Sequence, residues 1–180
     1  MEITAFVALV MPFIIVVYLG VLMLYLKPPG NVWLASLLGG LIMGLINILF
    51  DLLAYYTHIW HYTLNGLILH LPLPFYITPI LIYGSLGYLL IARFWRGRAH
   101  WFALLLLIGI PLFRTATDFI GGYTQGSYTP LYDSWLAVPL DLIMWIVMFC
   151  AGYLVFVRLA SAGAKFIAPP PQADSRHEAQ

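Results

Sequence analysis

Long apolar runs separated by short polar or turn-forming clusters dominate the chain. A bilayer core of about 30 Å needs about 20 mostly apolar residues per helix. The runs therefore predict five membrane-spanning helices, over roughly 3–26, 32–57, 75–91, 101–122 and 135–157. Lys27-Pro28-Pro29-Gly30-Asn31 ends the first, because proline removes a backbone donor and restricts the residue before it. That first run is not expected to be a secretory signal. Only Met1-Glu2 precede it, without Lys or Arg, and no small-x-small cleavage site follows. The predicted fold class is an all-α polytopic transmembrane helix bundle forming a single domain over residues 1–167. The segment 168–180, with Pro169-Pro170-Pro171 and then polar residues, has nothing to bury and is expected to be a disordered cytoplasmic tail.

Composition narrows the function classes. Hydrophobic residues make up 63% of the chain and charged residues 8%, against about a quarter in a soluble domain, so lipid is the solvent for most of its length. A net charge of +1 offers no basic face for nucleic acid. The one cysteine, Cys150, cannot form a disulfide within the chain.

Charge placement gives an orientation. Lys27 lies in the first connection, Arg93, Arg96 and Arg98 in the third, and Arg158, Lys165 and Arg176 after the fifth span, whereas the other connections hold no Lys or Arg. Basic residues favour the cytoplasmic side, so the N-terminus is expected outside and the C-terminus in the cytoplasm.

A shift of 67 residues superposes the second and third spans on the fourth and fifth. Asp51 falls on Asp118, Tyr56-Thr57 on Tyr123-Thr124, and Pro72-Leu73 on Pro139-Leu140, without a gap. This predicts a tandem two-helix repeat, Asp51 to Ile91 with Asp118 to Arg158. Its copies would be parallel in the membrane, as in some transporters. The first span stands outside it.

Four charged residues lie within the spans: Asp51, Arg114, Asp118 and Asp141. With Tyr55, Tyr56 and Trp60 as the outer aromatic belt of the second span, Asp51 lies about 6 Å beneath it, and the other three fall at similar shallow depths. A charge in hydrocarbon costs a few kcal/mol or more, so such groups face the bundle interior, pair, and are functional candidates. Arg114 and Asp118 have the spacing of a same-helix ion pair, which is read equally well as neutralisation that fixes helix packing. Asp51 and Asp141 must then find donors such as Asn47, Tyr76, Tyr123 or water, share Arg114, or take up a proton. On the second span, Ser36, Gly40 and Gly44 form a stripe that lets another backbone approach, within the chain or between chains. Asn47, Asp51, Tyr55 and His58 continue that stripe outward. His58, His61 and His70 share one connection, but no Cys or Glu-x-x-His element completes a ligand set; they are read as interfacial rings, and neither a metal nor another cofactor is expected.

Asp51, Trp60-His61-Tyr62, Gly66 and Leu71-Pro72-Leu73-Pro74-Phe75, leading into an aromatic helix, resemble a unit of the bacterial and archaeal membrane lycopene cyclases of carotenoid biosynthesis. Those proteins are built from duplicated multi-helix units, and a Pro-x-Glu-Glu element supplies carboxylates thought to protonate a polyene. The resemblance covers mainly Asp51 to Gly87. In the repeat, Pro139-Leu140-Asp141 carries Asp141 in place of the first glutamate, while Pro74, Phe75 and Leu142 occupy the other glutamate positions. The resemblance implies a similar scaffold in a bacterial or archaeal plasma membrane.

Together these readings predict a polar pocket in the outer leaflet. As an isoprenoid or carotenoid-type cyclase, or a related lipid-modifying isomerase or lyase, it would use Asp141 as the acid, with Asp51, Asp118 and Arg114 around it. Asn47, Tyr55, His58, Trp60, Tyr76 and Tyr123 would contact a membrane lipid or isoprenoid substrate. The alternative is a non-catalytic lipid- or carotenoid-binding protein, or a subunit of a helix-mediated homo- or hetero-oligomer. Transport is disfavoured, because the inner halves of the second and fifth spans carry almost nothing polar.

Overall fold

The computed structural model describes residues 3–95, 99–123 and 130–160, except for the side chain of Tyr123. The tail, Arg96, Arg98, Lys165, Arg176 and the Thr124 of the repeat lie outside the described residues. Among the described residues five helices are long and apolar enough to cross a membrane: α1 (Ile3–Leu26), α2 (Gly30–Tyr56), α3 (Leu73–Trp95), α4 (His100–Gly122) and α5 (Ala137–Ala160). Together they form an all-α bundle of membrane-spanning dimensions, with bounds within a few residues of those expected.

Local chemistry sets where these helices stop. Lys27 takes a left-handed conformation (φ 45°) and its N–H caps Leu22 O at 2.7 Å, after which Pro28-Pro29 prevents continuation. Thr57 Oγ1 bonds back to Leu53 O at 2.8 Å, and left-handed His58 then turns the chain away from α2. The third helix begins as a 3-10 turn at Leu73–Tyr76 and runs through a π-helical stretch at Pro79–Leu86. This wider winding lies where α2 comes closest.

The stripe of small residues works within the chain. A Cβ on Gly40 would strike Ile80 O, one on Gly44 would strike the Ile80 side chain, and Ser36 Oγ bonds Ser85 Oγ at 2.8 Å. Helices α2 and α3 are thus antiparallel and in backbone contact. On its other side α2 meets α5, where Gly39 and Gly152 leave room for the Tyr88 hydroxyl, which donates to Phe149 O at 3.0 Å. Tyr88, Phe149, Phe156, Met43 and Met148 fill the centre with almost no exposure.

Helix α1 docks on α2 and α3 rather than standing apart. Phe6 packs on Phe75 with ring centroids 4.3 Å apart, Tyr18 Oη bonds Ser85 Oγ at 2.8 Å, and Trp33 Nε1 donates to Tyr18 Oη at 2.9 Å. Its opposite face, with Leu9, Phe13, Val16 and Leu24, is exposed, as a lipid-facing surface must be.

An element that the hydrophobic pattern does not predict joins the two connections at the other end from Lys27, Arg93 and Arg158. Strands β1 (Trp60–His61) and β2 (Leu131–Tyr132) pair antiparallel, with Trp60 opposite Tyr132 and His61 opposite Leu131. Asp133 N–H adds a bond to Ile59 O at 2.9 Å, and His61 Nδ1 lies 2.7 Å from Asp133 Oδ2. This strap ties the segment after α2 to the segment before α5.

Candidate functional site

Beneath the strap, α2, α4 and α5 bring the four intramembrane charged residues to one cavity of about 160 Å³. Asp51, Asp118 and Asp141 line it with Arg114, Asn47, Tyr76 and Trp145, and its apolar wall includes Phe6, Phe75, Pro79 and Met144. All three aspartates are buried, at 2%, 4% and 1% exposure. The cost of charge in lipid is met by convergence on a shared interior site.

Each carboxyl is held differently. Asp51 accepts three hydrogen bonds: from Tyr76 Oη at 2.6 Å and Tyr62 Oη at 3.1 Å on Oδ2, and from Trp60 Nε1 at 2.9 Å on Oδ1. Asp118 accepts from Arg114 Nη2 at 2.6 Å and from Trp145 Nε1 at 3.1 Å, so the expected same-helix pair exists and has a third member on α5. Asp141 has, among the described residues, one hydrogen bond, from Tyr132 Oη at 3.3 Å. That distance is long for an O–H donor. Asp51 is caged and Asp118 is paired, whereas Asp141 is loosely held and faces the cavity.

The guanidinium of Arg114 is also enclosed. Its Cζ lies 5.5 Å from the Tyr83 ring centroid and 5.1 Å from that of Trp145, and Nη1 donates to Thr117 Oγ1 at 3.0 Å. Both rings are within reach of a cation–π attraction. Among the described residues, Arg114 Nε and Thr115 Oγ1 are buried without a hydrogen-bond partner.

The two tyrosines that reach in from outside the spans remain neutral donors. Burial, and then the nearby Asp51 charge, pushes the Tyr62 phenol well above its ordinary value. Burial does the same to Tyr132. A phenol so shifted donates its hydrogen bond without ionising.

The candidates named from sequence divide into two groups. Asn47 and Tyr76 line the cavity with the four charged residues, though Asn47 Nδ2 donates to Met148 Sδ at 3.2 Å rather than to an aspartate. Trp60 is not an interfacial belt residue. At 2% exposure it folds back under the strap to bind Asp51, because a buried carboxylate needs a donor more than the interface needs a ring. Tyr55 lies away from the cavity, stacked on His70 at 4.1 Å, and His58 is exposed at the end of α2. The side chain of Tyr123 lies outside the described residues.

Sequence reasoning missed Tyr62, Tyr83, Tyr132 and Trp145. Trp145 carried a usable signal, since it stands one helical turn from Asp141 and shares its face. Among the described residues no three His, Cys, Asp or Glu side chains form a group able to hold a metal ion. His61 instead pairs with Asp133.

Comparison with protein families, with curated proteins and with solved structures finds no match to the chain.

Proposed function

We propose that this membrane bundle acts on an isoprenoid or a similar unsaturated lipid, with Asp141 protonating an alkene in the cavity. The observation that carries the reading is the contrast among the three carboxyls. Asp51 is saturated with donors and Asp118 is committed to Arg114 and Trp145, which leaves Asp141 as the group free to hold a proton and present it. The step balances simply. The alkene π pair forms a C–H bond with the Asp141 proton, leaving a carboxylate and a carbocation. A neighbouring C–H then yields its proton to a carboxylate, so the overall change is an isomerisation or ring closure.

Other parts of the site suit this chemistry. A cavity of about 160 Å³ is close to the roughly 150 Å³ that holds a benzene ring. It fits a ring-sized end group and leaves the rest of a long lipid in the bilayer. Tyr83 and Trp145 line the cavity and hold the positive charge of Arg114 against their rings. The membrane lycopene cyclase resemblance around Asp51, Trp60-His61-Tyr62 and Pro139-Leu140-Asp141 motivates a carotenoid-type substrate. Binding without turnover is the second reading, favoured by the Arg114–Asp118 pair, which neutralises charge with no need of a reaction.

The test is expression in a host that accumulates linear polyenes, with mass spectrometry of the lipid extract and of lipids that co-purify in mild detergent. Wild type should yield a cyclised or isomerised product, and Asp141→Asn should lose at least about a hundredfold of it while remaining in the membrane. Equal product from the two proteins would sink the proposed chemistry. Co-purified polyene without product would leave the binding reading in its place.

A further inference from the structure

The proposed acid is reached from two sides. On one side Asp141 faces the cavity; on the other its hydrogen bond leads to Tyr132, which is not part of the cavity lining. Tyr132 instead lines a second, open groove with His61, Asp133, Ser134 and Trp135 at the strap end of the bundle. One phenol therefore stands between a polar groove and a buried carboxyl. The strap holds it there. Tyr132 is paired with Trp60 across the strands, their ring centroids are 6.5 Å apart, and Trp60 is itself anchored on Asp51.

We infer that Tyr132 is the proton relay that loads Asp141 from water in this groove, an inference that rests on the acid role proposed above. In each transfer the Tyr132 O–H bond breaks towards Asp141 Oδ2 while a new O–H bond forms from a hydronium in the groove, which leaves as water. The phenol ends neutral, as it began, and one proton has moved from solvent to the carboxyl. The 3.3 Å separation is long for transfer, but such contacts tighten when a site is engaged. The other donors around the cavity do not reach the groove: Tyr62 and Tyr76 bond Asp51, the Arg114 guanidinium bonds Asp118, Tyr83 turns its ring to Arg114, and none of the four lines the groove. Tyr132 is thus a positioning and relay residue, and the catalytic proton remains that of Asp141.

Infrared spectroscopy tests this without a substrate. In detergent-purified protein, the C=O stretch of protonated Asp141 is identified as the band lost in Asp141→Asn, and its shift after transfer to D2O gives the exchange rate. Tyr132→Phe, which keeps the ring, should slow that exchange by about a hundredfold, while Tyr62→Phe should leave it unchanged. A second route avoids any change at Tyr132. In a Cys150→Ala background, Ser134→Cys is labelled after folding with a bulky thiol reagent, and exchange should slow once the groove is covered. Unchanged exchange in Tyr132→Phe, or equal slowing by Tyr62→Phe, overturns the relay. If no protonated-carboxyl band disappears in Asp141→Asn, the acid role fails, and the relay with it.

Discussion

Asp51 is the residue whose surroundings are most fully built, and its cage is a matter of stability before chemistry. Desolvating a carboxylate is tolerable only if hydrogen bonds replace water, and three neutral donors from β1, the following loop and α3 supply them. Removing the shortest leaves an acceptor under-satisfied in a place water reaches poorly. Tyr76→Phe should therefore cost about 1.5–3 kcal/mol, read as lower thermal stability in detergent. Tyr83 is the internal comparison: its ring faces Arg114, and its hydroxyl is not among the donors to Asp51. Tyr83→Phe should stay within about 0.5 kcal/mol of wild type. Equal losses would mean that ring packing, not the bond to Asp51, determines the result.

At the scale of elements, backbone proximity does what side-chain bulk does in soluble cores. Lipid tails are as apolar as the helices, so association depends on close packing and interhelical hydrogen bonds. A methyl group at Gly40 would meet the Ile80 carbonyl, which belongs to the backbone and cannot swing aside. Gly40→Ala should cost about 1–3 kcal/mol or more, with loss of monodisperse protein in size-exclusion chromatography. Gly109 has nothing within 4 Å of the point a methyl group would occupy, so it should accept alanine and gain up to about 1 kcal/mol from helix propensity. These elements also mark what the sequence could disclose. The spans were legible because an apolar run of bilayer length has few other uses, and the four charges were legible as one site because lipid drives them together. The strap was not, since strands of two residues leave no periodicity to read. Trp60 looked like a belt residue because its partner, Asp51, is set by a chain reversal that local spacing does not encode, and the bond from Trp145 to Asp118 depends on interhelical register in the same way.

The whole molecule is polarised along its axis. The contacts Phe6 with Phe75 and Tyr18 with Ser85 make α1 parallel to α3, while Ser36 with Ser85, Asn47 with Met148 and Phe94 with Phe102 make successive neighbours antiparallel. Lys27, Arg93 and Arg158 then lie at one end, and the strap, the groove and the charged cavity lie towards the other. If basic residues mark the cytoplasmic side, the groove beside Tyr132 opens outward and the protons proposed to load Asp141 come from the external medium. Single cysteines in a Cys150→Ala background decide this. Asn65→Cys, in the exposed connection at the strap end, should react with a membrane-impermeant maleimide in intact cells, and Asn31→Cys, at the basic end, only after permeabilisation. The reverse pattern would put the groove in the cytoplasm and make the proton source internal, leaving the cavity and its carboxyls in place but changing which compartment's acidity they answer to.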